Sequence, residues 1–237
     1  MLKIALNAGH YMGTPGKRCK KSLDKNETRE WWLNNRICDK IETKLKAYEG
    51  YQLLRIDDTT GATDVELAKR TTKANSWGAE FYLSVHHNAG INGGSGGGIV
   101  AYTYTKVDAN TKDWQKKLYD ALIKHTGLKG NRATPLASSN LYECRKTTMA
   151  AVLLELGFMD SKTDVPIILS EDYANKCAEA IVEVIVAKGG LTKKPVVVET
   201  KDEKKLYRVQ VGAYSLKANA EALQKKLKAD GYDAIIV

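Results

Sequence analysis

The chain has 237 residues and a mass of 26.2 kDa, enough for one hydrophobic core and a small appendage. Hydrophobic residues make up 43% of the sequence and charged residues 27%, which excludes a mainly disordered chain or a fibre. The net charge of +9 at pH 7 favours anionic partners. Basic residues are in excess both in the first 200 residues and in the remainder, which disfavours a nucleic-acid-binding arm.

No apolar run of about 18 residues occurs in the sequence, so we expect no insertion into a membrane. The first apolar stretch is short and is interrupted by Asn7 and His10, unlike the core of a secretory signal. We therefore expect synthesis in the cytoplasm without a signal peptide. The four cysteines lack the C-x-x-C spacing of zinc ribbons and redox motifs, and this predicts free thiols.

Short apolar runs alternate with amphipathic stretches over residues 1–188. Thr28 and Asp64 are the predicted N-caps of the first two helices. The alternation predicts a single α/β domain with a mostly parallel twisted sheet flanked by helices. In chain order the predicted elements are strand Lys3–Leu6, a helix from Thr28 to Leu45, strand Tyr51–Ile56, helix Asp64–Ala74, strand Glu80–Val85, strand Gly98–Thr105, helix Lys112–His125, strands Leu141–Glu143 and Ala150–Leu156, and helix Glu171–Ala187.

The composition changes after the pair Gly189-Gly190. Residues 189–205 are rich in Lys, Val and Glu and are predicted to form a linker. Beyond the linker, Tyr207–Val211 alternates like a strand, Ala218–Asp230 has helical spacing, and Tyr232–Val237 begins another strand. The end of the sequence therefore predicts a small β-α-β fragment.

Three side chains with reactive groups stand near the ends of predicted strands: His10, His86 and Glu155. Two imidazoles and a carboxylate are a common ligand set for catalytic zinc, and the helix that begins near Glu27 and Glu30 could supply the carboxylate. Glu155 interrupts an apolar run, where a charge is costly unless it is paired or lies near a cation. Each feature also has a structural explanation, because single histidines are usually structural and acids are favoured at helix starts.

Four segments together resemble the zinc-dependent N-acetylmuramoyl-L-alanine amidases that bacteria and their phages use to cut peptidoglycan. These segments are Asn7–His10, Glu30–Asn34, Ser84–Ala89 and Val152–Asp160. The resemblance covers about residues 1–188 and implies a single α/β domain. It also implies hydrolysis of the amide between the lactyl group of N-acetylmuramic acid and L-alanine.

The resemblance implies roles for individual residues. His10 and His86 match the zinc imidazoles, and Glu155 matches the catalytic glutamate. Glu30 matches the carboxylate ligand because Asn34 follows it by four residues as in the family, and Glu27 is the alternative. Asn88 and Arg145 are candidates for substrate binding. His87 stands where the family commonly has a small residue, and we expect it to add a polar group at the mouth of the site.

The segment Tyr207–Ser215 and the helical residues after it resemble the opening of a SPOR domain, a family that binds peptidoglycan. Only the first of that family's two β-α-β halves is present, at residues 206–237. Either the half is truncated or a second chain completes it, which would make a homodimer through this fragment.

Taken together, the sequence predicts a peptidoglycan amidase that uses Zn²⁺, resembles phage endolysins, and acts at the bacterial cell wall after release from the cytoplasm. Anionic wall polymers would account for the basic charge. Two alternatives belong to other classes: a non-catalytic wall-binding protein of the same fold, and a nucleic-acid binder suggested by charge alone.

Overall fold

The computed structural model describes residues 1–195 and 209–236, which fall into two units, Met1–Lys194 and Pro195–Val237. The strands are β1 (Leu2–Ala8), β2 (Tyr48–Glu49), β3 (Tyr51–Arg55), β4 (Phe81–Asn88), β5 (Ile99–Thr103), β6 (Leu136–Ser138), β7 (Ala150–Phe158) and β8 (Thr192–Lys193). The helices are α1 (Glu30–Leu45), α2 (Leu67–Trp77), α3 (Ala109–Thr126), α4 (Tyr142–Lys146), α5 (Val165–Ile168), α6 (Glu171–Gly189) and α7 (Lys217–Ala229).

Six strands form one sheet in the order β3-β1-β4-β7-β5-β6. All neighbouring pairs are parallel except β5 and β7, which are antiparallel. Strands β2 and β8 form a separate antiparallel pair. The expectation of a mostly parallel sheet flanked by helices is confirmed. Strands β1, β4 and β7 are adjacent, so their carboxyl ends meet at one edge of the sheet.

Alternation along the strands divides the core between the two faces of the sheet. Leu83 and Val85 belong to the larger apolar cluster, whereas Tyr82 belongs to a smaller cluster on the other face. Helices α1, α3 and α6 supply much of the larger cluster, and α2 contributes to the smaller one. This second face also receives polar side chains, as described below.

Two strands are longer than the apolar runs that predicted them. β4 continues through His86 and His87 to Asn88, and β7 continues past Leu156 to Phe158. The two extensions pair with each other, since Asn88 is in register with Phe158, and just before them His86 is in register with Glu155. Polar residues can be part of these strands because the neighbouring strand forms hydrogen bonds with their backbone N–H and C=O groups.

Several local expectations are wrong. The strand expected at Leu141–Glu143 is instead the start of α4, and β6 provides the edge strand of the sheet. Adjacent Glu143 and Cys144 are both buried, which suits a helical turn and not the alternation of a strand. Helices α1 and α2 begin after the expected caps, with N-cap residues Arg29 and Glu66 that make no side-chain cap hydrogen bond.

The C-terminal unit contains helix α7, close to the predicted helix. Residues 209–216 and 231–236 form no strand, contrary to the predicted β-α-β fragment, because a strand needs a hydrogen-bonding neighbour and none is present among the described residues of this unit. Tyr207, Arg208 and Val237 lie outside the described residues, as does most of the predicted linker. The linker's first residues end α6 and form β8. Among the described residues, no helix is long and apolar enough to cross a membrane.

Candidate metal centre

His10, Glu30 and His86 converge at the carboxyl edge of the sheet. One ligand atom from each lies within 4.8 Å of the others. Glu30 Oε1 is central, at 3.3 Å from His10 Nε2 and 3.1 Å from His86 Nδ1. His10 comes from the loop after β1, Glu30 from the first turn of α1, and His86 from β4. Three separate parts of the sequence therefore meet at this edge of the sheet.

The backbone at the end of β1 is shaped to receive the ring of His86. His10 has φ of +67°, a left-handed conformation that costs energy for a residue with a side chain and is often found at functional sites. A Cβ placed on Gly9 would lie 2.0 Å from His86 Cε1. Only glycine at position 9 lets the imidazole pack against the chain here.

Glu30, and not Glu27, lies in the cluster. Glu30 is the first residue of α1 and is 1% exposed. Glu27 instead forms ion pairs with Arg18 at 3.1 Å and Lys21 at 3.9 Å. One turn after Glu30, Asn34 donates to the carbonyl of Gly9 at 3.1 Å and so ties α1 to the loop that carries His10.

Glu155 faces the same space from the neighbouring strand. Because its backbone is in register with His86, the two side chains leave the sheet on the same side. Glu155 is partly buried, and its Oε2 is buried with no hydrogen-bond partner among the described residues. Burial raises the pKa of this carboxyl to about 7, against the opposing effect of nearby His86.

The donor set fits a zinc ion. Nitrogen and oxygen ligands about 2.0–2.1 Å from a tetrahedral zinc are about 3.3 Å from each other, close to the two distances around Glu30 Oε1. Glu30 Oε2 and His86 Nε2 are buried without hydrogen-bond partners among the described residues. Burial alone would raise the pKa of Glu30, but its contacts with His10 and His86 hold it well below its usual range. The site therefore keeps an ionised carboxylate ready for a cation.

His87 is not at the mouth of the site, so that expectation is wrong. Its side chain points away from His86, is 1% exposed, and its Nδ1 lies 2.8 Å from Asn34 Oδ1. Burial lowers the pKa of His87 to about 3, so the ring is neutral. It holds α1 against β4.

Asn88 and Arg145 do not contact the cluster among the described residues. Asn88 Oδ1 accepts from the backbone N–H of Ala89, and Arg145 donates to Asn140 at 3.0 Å and lies over the ring of Tyr142. Their role in substrate binding remains a proposal.

A buried polar network beside the cluster was missed by the sequence reasoning. Glu143 of α4 accepts from Asn7 Nδ2 at 2.8 Å, and Asn7 Oδ1 accepts from Arg70 at 2.8 Å. All three residues are at most 4% exposed. The one available signal was Asn7 at the end of an apolar strand, because a polar residue in such a run needs a buried partner.

Replacing Gly9 by alanine tests how closely the loop fits His86. We expect Gly9→Ala to weaken zinc binding strongly, because the new methyl group would occupy the position of the imidazole ring. Zinc affinity is measured by competition with a chromogenic chelator. The control is Gly78→Ala at the end of α2, where a Cβ meets open space but φ is +71°. This control should lower stability by about 1 kcal/mol and leave zinc affinity unchanged; equal zinc affinity in Gly9→Ala would contradict the fit.

Comparisons with known proteins agree with this geometry. A family model described as N-acetylmuramoyl-L-alanine amidase matches residues 4–187, and one described as SPOR domain matches residues 178–237. The sporulation-specific N-acetylmuramoyl-L-alanine amidase of Bacillus subtilis is 31% identical over 238 residues, covering 100% of this chain and 85% of that protein. The endolysin of Bacillus phage SPP1 is 34% identical over 129 residues, covering 54% of this chain and 47% of that protein.

Solved structures show the same fold. The catalytic domain of CwlV, an N-acetylmuramoyl-L-alanine amidase from Bacillus (Paenibacillus) polymyxa, aligns with a TM-score of 0.69 at 23% identity, covering 79% of this chain and 98% of that domain. An N-acetylmuramoyl-L-alanine amidase from Clostridium difficile aligns with a TM-score of 0.68 at 24% identity, covering 78% and 95%. Because a family model matches most of the chain, the chain belongs to the N-acetylmuramoyl-L-alanine amidase family.

Proposed function

We propose that this peptidoglycan amidase uses a zinc ion held by His10, Glu30 and His86 to hydrolyse the bond between N-acetylmuramic acid and L-alanine. The observation that supports it most is the convergence of these three side chains within 4.8 Å, with Glu30 Oε1 at 3.3 Å and 3.1 Å from the two imidazole nitrogens. Two imidazoles and a carboxylate are a ligand set that catalytic zinc commonly takes.

A bound zinc ion would supply Lewis acidity toward the amide carbonyl and lower the pKa of a water molecule to about 7. Glu155 accepts the proton of the attacking water at its carboxylate. It then delivers that proton to the amine of L-alanine as the carbon–nitrogen bond breaks. The hydroxyl of the water stays on the lactyl carbonyl carbon, so the products are a carboxylic acid and a free amine. The register of Glu155 with His86 supports this role, because it puts the base beside the ligand cluster.

Removal of the metal tests the proposal. The purified full chain is incubated with isolated cell walls, and free N-terminal alanine is measured before and after treatment with a chelator. We expect release of alanine from untreated protein, no release after chelation, and recovery when zinc is added back.

Two alternatives make other predictions. A non-catalytic wall-binding protein would bind the walls without releasing alanine under any condition. A nucleic-acid binder would bind DNA fragments tightly and lose that affinity steeply with salt. The presence of all four residues, His10, Glu30, His86 and Glu155, favours the enzyme over both.

The C-terminal unit supports a second proposal, that it contacts peptidoglycan. The SPOR match includes this unit. Several of its apolar side chains are exposed, and exposed apolar groups in one small segment favour contact with a partner. They are Val209, Val211, Tyr214, Leu216, Tyr232, Ile235 and Ile236. The same side chains support pairing of two chains through this unit, and the net charge of +9 supports attraction to anionic wall polymers.

A further inference from the structure

Glu143 is a buried charge that the proposed chemistry does not use. It is 4% exposed and projects from α4 toward β4. Tyr82, Ser84 and His86 alternate along β4 and so leave the sheet on one face. The carboxylate of Glu143 reaches all three of these side chains.

Every recorded partner of this carboxylate is a donor. Oε1 accepts from the hydroxyl of Tyr82 and from Asn7 Nδ2, and Oε2 accepts from Ser84 Oγ at 3.3 Å. Because all of these groups donate hydrogen bonds to it, the carboxylate is held in its ionised form inside the protein.

The free side of the carboxylate faces a proposed metal ligand. Glu143 Oε2 lies 3.8 Å from His86 Nε2, and Nε2 is buried without a hydrogen-bond partner among the described residues. The other ring nitrogen, Nδ1, points to Glu30 Oε1 at 3.1 Å. The two nitrogens of His86 thus face two different carboxylates.

This arrangement determines which nitrogen of His86 carries the proton. A metal can be bound at Nδ1 only if that atom presents its lone pair, and a neutral imidazole then has its proton on Nε2. A buried Nε2–H needs an acceptor, because an unsatisfied donor costs about 1–3 kcal/mol. Glu143 Oε2 lies 3.8 Å away, which is longer than a hydrogen bond, but it is the carboxylate oxygen that faces this nitrogen. Carboxylates that hold the second nitrogen of a metal-binding histidine commonly tune metal affinity.

We propose that Glu143 is a positioning residue that fixes His86 as the Nε2–H tautomer and aims Nδ1 at the metal. The inference rests on the proposed zinc site. Glu143 is not itself in the group of converging ligand atoms among the described residues, so it acts through His86.

The variant Glu143→Gln reverses the polarity of this contact. The donors from Asn7 and Tyr82 would hold the amide oxygen, and this leaves the amide NH₂ group toward Ser84 and His86. An NH₂ group donates to Nε2 and favours a proton on Nδ1, the atom needed for the metal. We therefore expect zinc to bind about 10- to 100-fold more weakly in the full-length variant, as found for lost outer partners of ligating histidines.

Two measurements test this. The zinc dissociation constant is obtained by chelator competition, and the protonation of the His86 ring is read from its ¹⁵N and ring N–H proton chemical shifts in zinc-loaded protein. We expect a metal-bound Nδ1 and a downfield Nε2–H proton in the wild type, and an upfield shift of that proton in Glu143→Gln at saturating zinc, because its carboxylate acceptor is gone. Glu143→Asp keeps a carboxylate at a greater distance, so its Nε2–H shift and zinc affinity should both be intermediate.

Asp57→Asn is the matched control. Asp57 is a buried carboxylate whose partner is Arg55 at 2.7 Å, so its loss also disturbs a buried ion pair. It should lower the melting temperature without changing zinc affinity or the His86 Nε2–H shift. Wild-type zinc affinity and a wild-type Nε2–H shift in Glu143→Gln would overturn the inference and leave the proposed function intact. If the wild type itself bound no zinc, the proposed metal site would fail and the role of Glu143 with it, so the two failures are distinguished by the wild-type zinc affinity.

Discussion

Glu155→Gln is expected to bind zinc as tightly as the wild type and to lose the release of L-alanine from cell walls by about 10²- to 10⁴-fold. The amide of glutamine has nearly the same shape as the carboxylate but cannot accept the proton of the attacking water. Glu155 is not among the converging ligand atoms, so the metal should be retained. Metal content and zinc affinity are measured on the same preparation as the alanine release.

A second glutamate provides the control for this variant. Glu183 on α6 pairs with Lys124 and His125 and has a half-exposed side chain. Glu183→Gln should release alanine at the wild-type rate, because exposed pairs contribute little to stability. If Glu155→Gln cleared walls as fast as the wild type, another group would have to be the base. If Glu155→Gln did not bind zinc, the assignment of Glu155 as a base that is not a metal ligand would be wrong.

The sequence was sufficient to locate most of the ligand cluster because strand ends and helix starts are marked locally. His10 and His86 each follow an apolar run, and the resemblance to the amidase family, through Asn34, selected Glu30 over its neighbour at position 27. The parallel sheet then brings those separate points to one edge. Local pattern, sheet topology and the family resemblance together were enough to predict that the side chains meet.

Other features depend on contacts between distant parts of the chain, which local pattern does not encode. Glu143 contacts Asn7, which is 136 positions away in the sequence. Its helical turn was predicted as a strand because three residues are too few to distinguish the helical period of about 3.6 residues from the strand period of about 2. His87 was placed at the mouth because its partner Asn34 lies on another element. The C-terminal strands were expected from alternation alone, which cannot show whether a neighbouring strand is available.

Replacing Glu30 by glutamine should abolish tight zinc binding, whereas Glu27→Gln should leave it unchanged. Loss of an outer partner costs 10- to 100-fold in metal affinity, so loss of a ligand should cost more than about 100-fold. The two glutamates are three positions apart, but only Glu30 Oε1 lies within 3.3 Å of both imidazoles. Zinc affinity by chelator competition and alanine release from walls should fall together in Glu30→Gln.

Stability separates this effect from damage to the fold. Glu27→Gln removes ion pairs with Arg18 and Lys21, which are partly exposed and should contribute at most about 1 kcal/mol. Glu30→Gln removes a buried charge from the start of α1 and from its contacts with His10 and His86, so this metal-free variant should melt at the lower temperature of the two. The test is the change on addition of zinc: only the wild type and Glu27→Gln should gain stability, because only they bind it. The opposite pattern, with zinc stabilising Glu30→Gln and not Glu27→Gln, would move the ligand to Glu27 and contradict the geometry of the cluster.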